Sequence, residues 1–285
     1  MTIQHAYQEL HRQLQQLYNS REAANISDWV IENITGLRRI DMVIQKTRLL
    51  NQLQEEQLRS RLSELLMHRP VQYVLNEAWF AGMKFYVNED VLIPRPETEE
   101  LVEWLSGELL SNNQHSVCAL DIGTGSGCIA IAAKKKIRSL QVTAIDVSKG
   151  ALEVAKKNAL NLGAEINFLE LDFLDSTARS QLPKFDIIVS NPPYVPESDK
   201  SSMSAIVVEH EPHTALFVDN MDVLLFYREI ASFARNHLEP SGKIYLEIHE
   251  DLGESVVLLF KNAGFNNVEL KKDMQGKDRM IKVTY

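Results

Sequence analysis

An asparagine, two prolines and a tyrosine stand together at Asn191-Pro192-Pro193-Tyr194, directly after the apolar run Phe185 to Ser190. Each proline fixes its own φ and pushes the residue before it into extended geometry. Neither carries an N–H, so the loop's carbonyls meet no local donor. The result is a stiff row of acceptors. The Asn191 side-chain oxygen and a proline-region carbonyl can each take one N–H of a planar amino group, while Tyr194 stacks on its flat face. Such a site aims a nitrogen in one direction, which an in-line transfer to that nitrogen needs. The candidate catalytic residues are therefore Asn191, Pro192 and Tyr194, with Pro193 added for substrate binding. A proline-rich turn after a strand is the plain alternative, and on an isolated tetrapeptide it would compete well.

A second constellation makes the tetrapeptide harder to dismiss. The apolar strand ending at Asp121 is followed by Gly123-Thr124-Gly125-Ser126-Gly127 and then by a helix-forming run. Glycines permit tight turning and close approach of backbone amides to a ligand, and the new helix points its positive end at the same place. Cys128 occupies the position where a dinucleotide fingerprint wants glycine or alanine, and no lysine follows Gly127 to grip phosphate. Asp146 ends the second strand, where an acid can accept both hydroxyls of a ribose. Asp172 follows the third, where a carboxylate can accept an adenine amino proton, and Phe173 beside it can cover the adenine face. Each acid alone is more often a strand-end or capping residue. Together, at the ends of successive strands, they suit adenine, ribose and an amino-acid tail without phosphates. That is S-adenosylmethionine rather than ATP or NAD. The candidate cofactor residues on this rim are Asp121, Gly123, Thr124, Gly125, Ser126, Gly127, Asp146, Asp172 and Phe173.

Elements of the right kind surround these positions. Strand patterns fall at 117–122, 140–146, 165–171, 185–190 and 242–248, with two more near 266–271 and 279–284. Helical patterns fill 98–111, 126–137, 148–161, 222–238 and 251–263. Alternating strands and helices argue for a doubly wound parallel sheet, with the last two strands as an antiparallel edge. Residues 76–96 read as a hairpin or short strands turning at "NED", a linker where a hinge is expected. Residues 1–75 read as a small helical bundle. Ile3, Tyr7, Leu10, Leu14 and Leu17 share one face, as do Ile26, Trp29, Val30 and Ile34, and Leu58, Leu62 and Leu65. These are core-type residues, so that region is assigned to packing or partner docking rather than chemistry.

Composition closes off other classes. The net charge is −9, and residues 1–80 are balanced, so the acidic excess lies in 81–285. A general nucleic-acid binder would carry a basic stripe. Cys118 and Cys128 sit in strand-turn-helix context, which points to a reduced cytoplasmic compartment rather than a disulfide framework. No apolar run approaches membrane-spanning length, and the first residues lack a signal-peptide pattern. The Lys134–Lys136 run reads as a solvated helix end. His210 and His213 form an isolated pair, so no metal site is expected, and Glu211-Pro212 between them reads as shaping a loop that covers the substrate. Glu247, Glu250 and Asp251 could form a carboxylate pocket, but exposed acids near a helix start are the preferred reading.

The chain resembles the release-factor glutamine methyltransferase family along nearly its whole length. The resemblance is carried by "RPVQYV" at 69–74, "LIPRPETEELVE" at 92–103, "DIGTGSGCIAIA" at 121–132, "NPPY" at 191–194, "EP" with "AL" at 211–216 and the late "GKDRMI". The tetrapeptide alone is shared by amino-methyltransferases of several substrates; "PRPETE" is the more specific segment. The resemblance implies a Rossmann-like class I methyltransferase sheet preceded by a helical bundle. The expected divisions are 1–75 for partner docking, 76–96 for a β-hairpin linker and 97–285 for methyl transfer. It implies N5-methylation of the glutamine in the Gly-Gly-Gln motif of class 1 peptide-chain release factors, by a monomer. Methylation of a nucleobase in RNA or DNA is the alternative. Asn191 would touch both cofactor and glutamine, and "PRPETE" would border the methionine end. Asn76 and His249 stand where many members have glycine, and Phe173 where the family often has tryptophan.

Overall fold

The computed structural model describes residues 1–110 and 117–285. Residue 111 of the expected 98–111 helix lies outside the described residues. The chain forms two compact units, one of Met1–Glu77 with Ala205–His210, the other of Ala78–Ser204 with Glu211–Tyr285.

The first unit contains helices α1 (Ile3–Leu14), α2 (Ser20–Thr35), α3 (Arg39–Ile44), α4 (Gln52–Leu66) and α5 (Val71–Leu75). The later short helix α10 (Ala205–His210) belongs to the same unit. Side-chain caps start the longer helices. Thr2 accepts from the His5 N–H, Asn19 from Arg21 and Glu22, and Asn51 and Gln54 form a reciprocal capping box. Ile3, Ala6, Leu10 and Leu14 of α1 bury against Ile26, Val30 and Ile34 of α2 and Leu58 and Leu65 of α4. Leu17, expected on the α1 face, lies beyond the helix end and is exposed. Inside this unit Glu77 is buried and accepts from the Trp29 indole at 2.9 Å and the Asn33 amide at 3.1 Å.

The second unit opens with a hairpin of β1 (Ala78–Phe80) and β2 (Met83–Phe85). It turns at Ala81 and Gly82, both at positive φ (49° and 72°), the two-residue geometry that matches strand twist. The expected turn at "NED" is therefore not the hairpin turn. Asn88 and Asp90 form a separate local turn, with the Asp90 N–H donating to Asn88 Oδ1 at 3.2 Å. Then come α6 (Pro96–Leu110), β3 (Cys118–Ile122), α7 (Cys128–Lys136), β4 (Gln141–Asp146), α8 (Lys149–Leu162), β5 (Asn167–Glu170), α9 (Ser176–Arg179) and β6 (Phe185–Ser190). After these follow β7 (Val195–Pro196), α11 (His213–Leu216), β8 (Phe217–Val218), α12 (Leu225–His237), β9 (Leu238–Glu247), α13 (Gly253–Asn262), β10 (Asn267–Lys272) and β11 (Asp278–Thr284). A 3₁₀ segment of six residues, Glu197–Ser202, follows β7.

Among the described residues the main sheet has the order β10-β11-β9-β6-β3-β4-β5. β9, β6, β3, β4 and β5 run parallel, and β11 and β10 add the antiparallel edge read from the sequence. Alternation sorts the strand side chains into two cores. Ala119, Val142, Ala144, Ile187 and Val189 pack against α6 and α7 on one face. Leu120, Ile122, Ile145, Ile188 and Ile244 pack against α12 and α13 on the other. Burial on both faces explains why these strands read as continuous apolar runs. Because β4 lies to one side of β3 and β6 to the other, the connections switch direction at β3. Open sheets of this kind bind ligands outside the carboxyl ends of the strands at such a point.

Candidate functional site

β3, β4, β5, β6 and β9 all end on one rim, and their next residues are the chemistry-bearing ones. The turn after β3 is set by its backbone. The N–H groups of Gly123 and Thr124 both donate to the Ile145 carbonyl at 3.0 Å, which pins the loop to β4. Gly125 and Gly127 have φ of 54° and 80°, in the left-handed region. Their reasons differ. Open space surrounds the point where a Gly125 Cβ would sit, whereas a Cβ on Gly127 would meet Ile131 Cδ1 at 3.0 Å and Ala155 Cβ at 3.2 Å. Gly127 thus permits close packing of α7 and α8.

Asp146 is the bracket for that loop. Its Oδ2 accepts from the Gly125 N–H and its Oδ1 from the Ser148 N–H, each at 2.9 Å. Burial raises its pKa, and these backbone donors oppose the rise. Each carboxylate oxygen keeps a further lone pair. Asp121 is fully buried behind the loop, its Oδ2 accepting from the Thr124 hydroxyl at 2.7 Å, and burial pushes its carboxyl up to about 7. Asp172 Oδ1 accepts from the Leu174 N–H at 2.9 Å. Phe173 is buried, edge-on to Phe233 with ring centroids 5.4 Å apart.

The rim after β6 is held by side chains instead. The Ser190 hydroxyl donates to the Ile122 carbonyl at 2.7 Å, locking β6 to β3 just before Asn191. Asn191 Nδ2 donates to Thr98 Oγ1 at 3.2 Å. The Thr98 hydroxyl donates to Glu247 Oε2 at 2.6 Å, and the Tyr194 hydroxyl to Glu247 Oε1 at 3.0 Å. Glu247, read from the sequence as an exposed acid, is in truth 1% exposed. It is the last residue of β9 and points inward beside β6, so its strand position overrides its polarity. Burial raises its pKa, against hydrogen bonds from Thr98 and Tyr194 and the charge of Arg279. Burial and the Glu247 charge together push the Tyr194 phenol well above its ordinary value. Arg95 of "PRPETE" donates to Glu211 Oε1 at 2.6 Å, while the Ile93 N–H reaches Glu211 Oε2 at 3.2 Å.

A cavity of about 450 Å³ opens between these two sides. Of the expected residues, Gly123, Gly125, Asp146, Asp172, Phe173, Asn191, Pro192 and Pro193 line it. Asp121, Thr124, Ser126, Gly127 and Tyr194 are not among its lining residues. Asp121 and Thr124 bond to each other behind the loop, and Tyr194 points to Glu247. The sequence reading did not single out Asp90–Leu92, Thr214, Ala215 and Phe217, which also line the cavity beside Pro212. Behind it stand Thr98, which the sequence placed only within "PRPETE" as a whole, and Glu247, which it read as exposed. An acid at the end of the otherwise apolar run "KIYLE" is the one signal that pointed to Glu247. Among the described lining residues there are four aspartates and no lysine, arginine or histidine. Such a wall repels phosphates and favours a cationic ligand.

The backbone meets the two glycine-replacing positions differently. Asn76 lies at φ 52°, a left-handed conformation that asparagine tolerates. His249 is not among the positive-φ residues, so no glycine is required there; its ring lies edge-on to Tyr194.

Comparison with known proteins agrees with this architecture. The model of the methyltransferase small domain family matches residues 99–214, and that of the PrmC N-terminal domain matches residues 5–75. The release factor glutamine methyltransferase of Flavobacterium psychrophilum is 44% identical over 273 residues, covering 95% of each chain. That of Bacteroides thetaiotaomicron is 38% identical over 272 residues, covering 95% of this chain and 96% of the other. A solved methyltransferase from Pyrococcus furiosus shares the fold, with a TM-score of 0.52 at 20% identity over 79% of this chain and 96% of that one. Identity of this degree over nearly the full length bears out the resemblance read from the motifs: the chain belongs to the release factor glutamine methyltransferase family.

Proposed function

We propose that this protein transfers the methyl group of S-adenosylmethionine to the N5 amide nitrogen of the glutamine in the Gly-Gly-Gln motif of class 1 peptide-chain release factors. The observation that carries the reading is the shared cavity, with the Gly123–Gly125 turn and Asp146 on one wall and Asn191-Pro192-Pro193 on the other. The donor set fits the cofactor: acids for hydroxyl and amino groups, an aromatic ring, open space beside the glycines and no basic residue for phosphates. When bound, S-adenosylmethionine supplies an electrophilic methyl on a sulfonium.

This chain's residues would do the rest. Asp146 accepts ribose hydroxyls, and Asp172 with Phe173 borders the adenine. Asp121, Thr124, Ser126 and Gly127 shape the turn from behind. The Asn191 oxygen and the Pro192 carbonyl accept the two amide hydrogens of glutamine, raising electron density on a nitrogen otherwise conjugated with its carbonyl. Pro193 and Tyr194 complete the rigid frame. The Pro212–Phe217 segment would exclude water from the reacting centre, which favours transfer of a group that carries positive charge. A methylated, N-protonated amide is strongly acidic and needs no tuned base. We assign residues 1–75 to docking the protein substrate, 76–96 to the linking hairpin and 97–285 to catalysis, in a cytoplasmic monomer. Among the described residues no helix is long and apolar enough to cross a membrane.

The test is incubation with methyl-labelled S-adenosylmethionine and, separately, a release factor, its Gln-to-Ala variant, RNA and DNA. Label is expected on the intact release factor alone. Label on nucleic acid alone, or none anywhere, overturns the reading.

A further inference from the structure

We propose that Glu247 is a positioning residue for methyl transfer, fixing Asn191 through Thr98 and Tyr194 directly, so that the Asn191 side-chain oxygen is presented to the acceptor amide. This rests on the methyltransferase reading above and adds to it a pair, Thr98 and Glu247, that touches neither cofactor nor substrate.

An ionised carboxylate only accepts hydrogen bonds, and a threonine hydroxyl has one proton to give. That proton goes to Glu247 Oε2 at 2.6 Å. Thr98 Oγ1 can therefore only accept from Asn191, at 3.2 Å, which forces the Asn191 amide nitrogen to face Thr98. The other terminal atom of that side chain, Oδ1, is turned away from Thr98, on a residue that lines the cavity. A flipped Asn191 would bring two acceptors together or withdraw the Thr98 proton from a buried carboxylate, and buried polar groups left unpaired are costly. The second oxygen of the same carboxylate takes the Tyr194 proton at 3.0 Å. One side chain thereby holds both ends of the Asn-Pro-Pro-Tyr loop, whose middle is already stiffened by its prolines.

The carboxylate is itself fixed. Its strand runs beside β6 with Ser190 opposite Leu246, so Glu247 follows in register with Asn191. The Tyr227 hydroxyl donates to the Glu247 carbonyl at 3.3 Å, and Thr98 is 2% exposed in the first turn of α6. Burial raises the Glu247 pKa, and the hydrogen bonds from Thr98 and Tyr194 and the charge of Arg279, bonded to Asp273 at 3.2 Å, oppose that rise.

Thr98→Val removes the hydroxyl at nearly constant volume. Its kcat on the release-factor glutamine is expected to fall roughly 10²-fold, the scale of a misplaced reacting group. Equilibrium affinity for S-adenosylhomocysteine should stay near wild type, and Thr98→Ser, which keeps the hydroxyl, should restore most of the rate. Glu247→Gln should move the same way, because an amide accepts at only one of its two ends. A second readout needs no substrate. Hydrogen exchange of the Asn191 side-chain amide, identified by its loss in Asn191→Asp, should quicken several-fold in Thr98→Val and return in Thr98→Ser. Wild-type kcat in Thr98→Val, or unchanged Asn191 exchange, overturns the proposal. If wild-type protein leaves release factors unlabelled, the functional reading falls while the exchange measurement still decides the positioning role.

Discussion

The two sides of the cavity are rigid for different reasons. On the glycine side, backbone does the holding. Gly123, Thr124 and Gly125 give their N–H groups to Ile145 and Asp146, and the local conformation is one that few side chains allow. On the Asn191 side, hydrogen bonds between side chains hold the loop, linking positions 93 residues apart from Thr98 to Asn191 and 149 apart from Thr98 to Glu247. The first kind of rigidity fails by steric strain. The second fails by leaving a buried polar group unpaired. Substitutions on the two walls should therefore produce different symptoms.

The largest expected effect separates the walls by chemistry. Asn191→Ala should cut the methylation rate by roughly 10²-fold or more while leaving cofactor affinity nearly intact, the scale of a lost positioning contact. Steady-state kinetics with equilibrium cofactor titration checks this, and equal losses in both would erase the distinction between the walls. Next is stability on the Asn191 side. Arg95→Ala strands Glu211, whose side chain is 1% exposed. Because Arg95 is itself a third exposed, the expected loss is about 2 kcal/mol rather than the ~3–5 kcal/mol of a fully buried pair. Urea unfolding measures it.

Two glycines then sharpen the other wall. Ala in left-handed geometry costs about 1–2 kcal/mol, and Gly127→Ala adds a clash with Ile131 and Ala155. Gly127→Ala should lower the melting temperature more than Gly125→Ala, while Gly125→Ala should weaken cofactor binding more. The reverse order would mean that Gly125 is the packing glycine. The smallest effect lies outside both walls. Lys243 and Lys282, with Tyr245, hold Glu108 down to about 2 despite partial burial. A carboxyl lowered on folding adds stability that is present above its unfolded value near 4.5 and lost as pH falls toward 2. Glu108→Gln should flatten that acid limb of the unfolding midpoint only slightly, because the pair is partly exposed. An equal flattening in Glu247→Gln would contradict the opposite, burial-driven shift at the site.

Legibility followed the same division. The glycine wall is contiguous, so "DIGTGSG" and the strand ends at Asp146 and Asp172 could be found by reading along the chain. The parallel strands were legible because burial on both faces makes their sequences uniformly apolar. Glu247 was misread because an acid beside "HED" looks like a solvated helix start, and only the register of β9 against β6 turns it inward. The Thr98–Asn191 and Arg95–Glu211 pairings stayed hidden for a related reason, although Arg95, Thr98 and Glu211 all lie in quoted motifs. Each joins ordinary residue types that lie 93 or more positions apart. The hairpin was legible but its turn was not, because "AG" is a weaker turn signal than the "NED" that follows it. The pairing of β7 with β8 and the short helices between them carried no periodicity long enough to read.

Asn158, on α8, has a bearing on how mutational scans of this protein are interpreted. Its amide group donates to the Tyr86 and Ser126 carbonyls, both at 2.9 Å, and its oxygen accepts from the Tyr86 N–H at 2.7 Å. One side chain thus staples the segment after the hairpin to the glycine turn, although it lies outside the cavity lining. In a growth-based screen, substitutions at 158 will score like cofactor-contact losses. Sorting hits by phenotype alone would then draw the binding site too large, and dose response to added cofactor is the way to tell a contact from a staple.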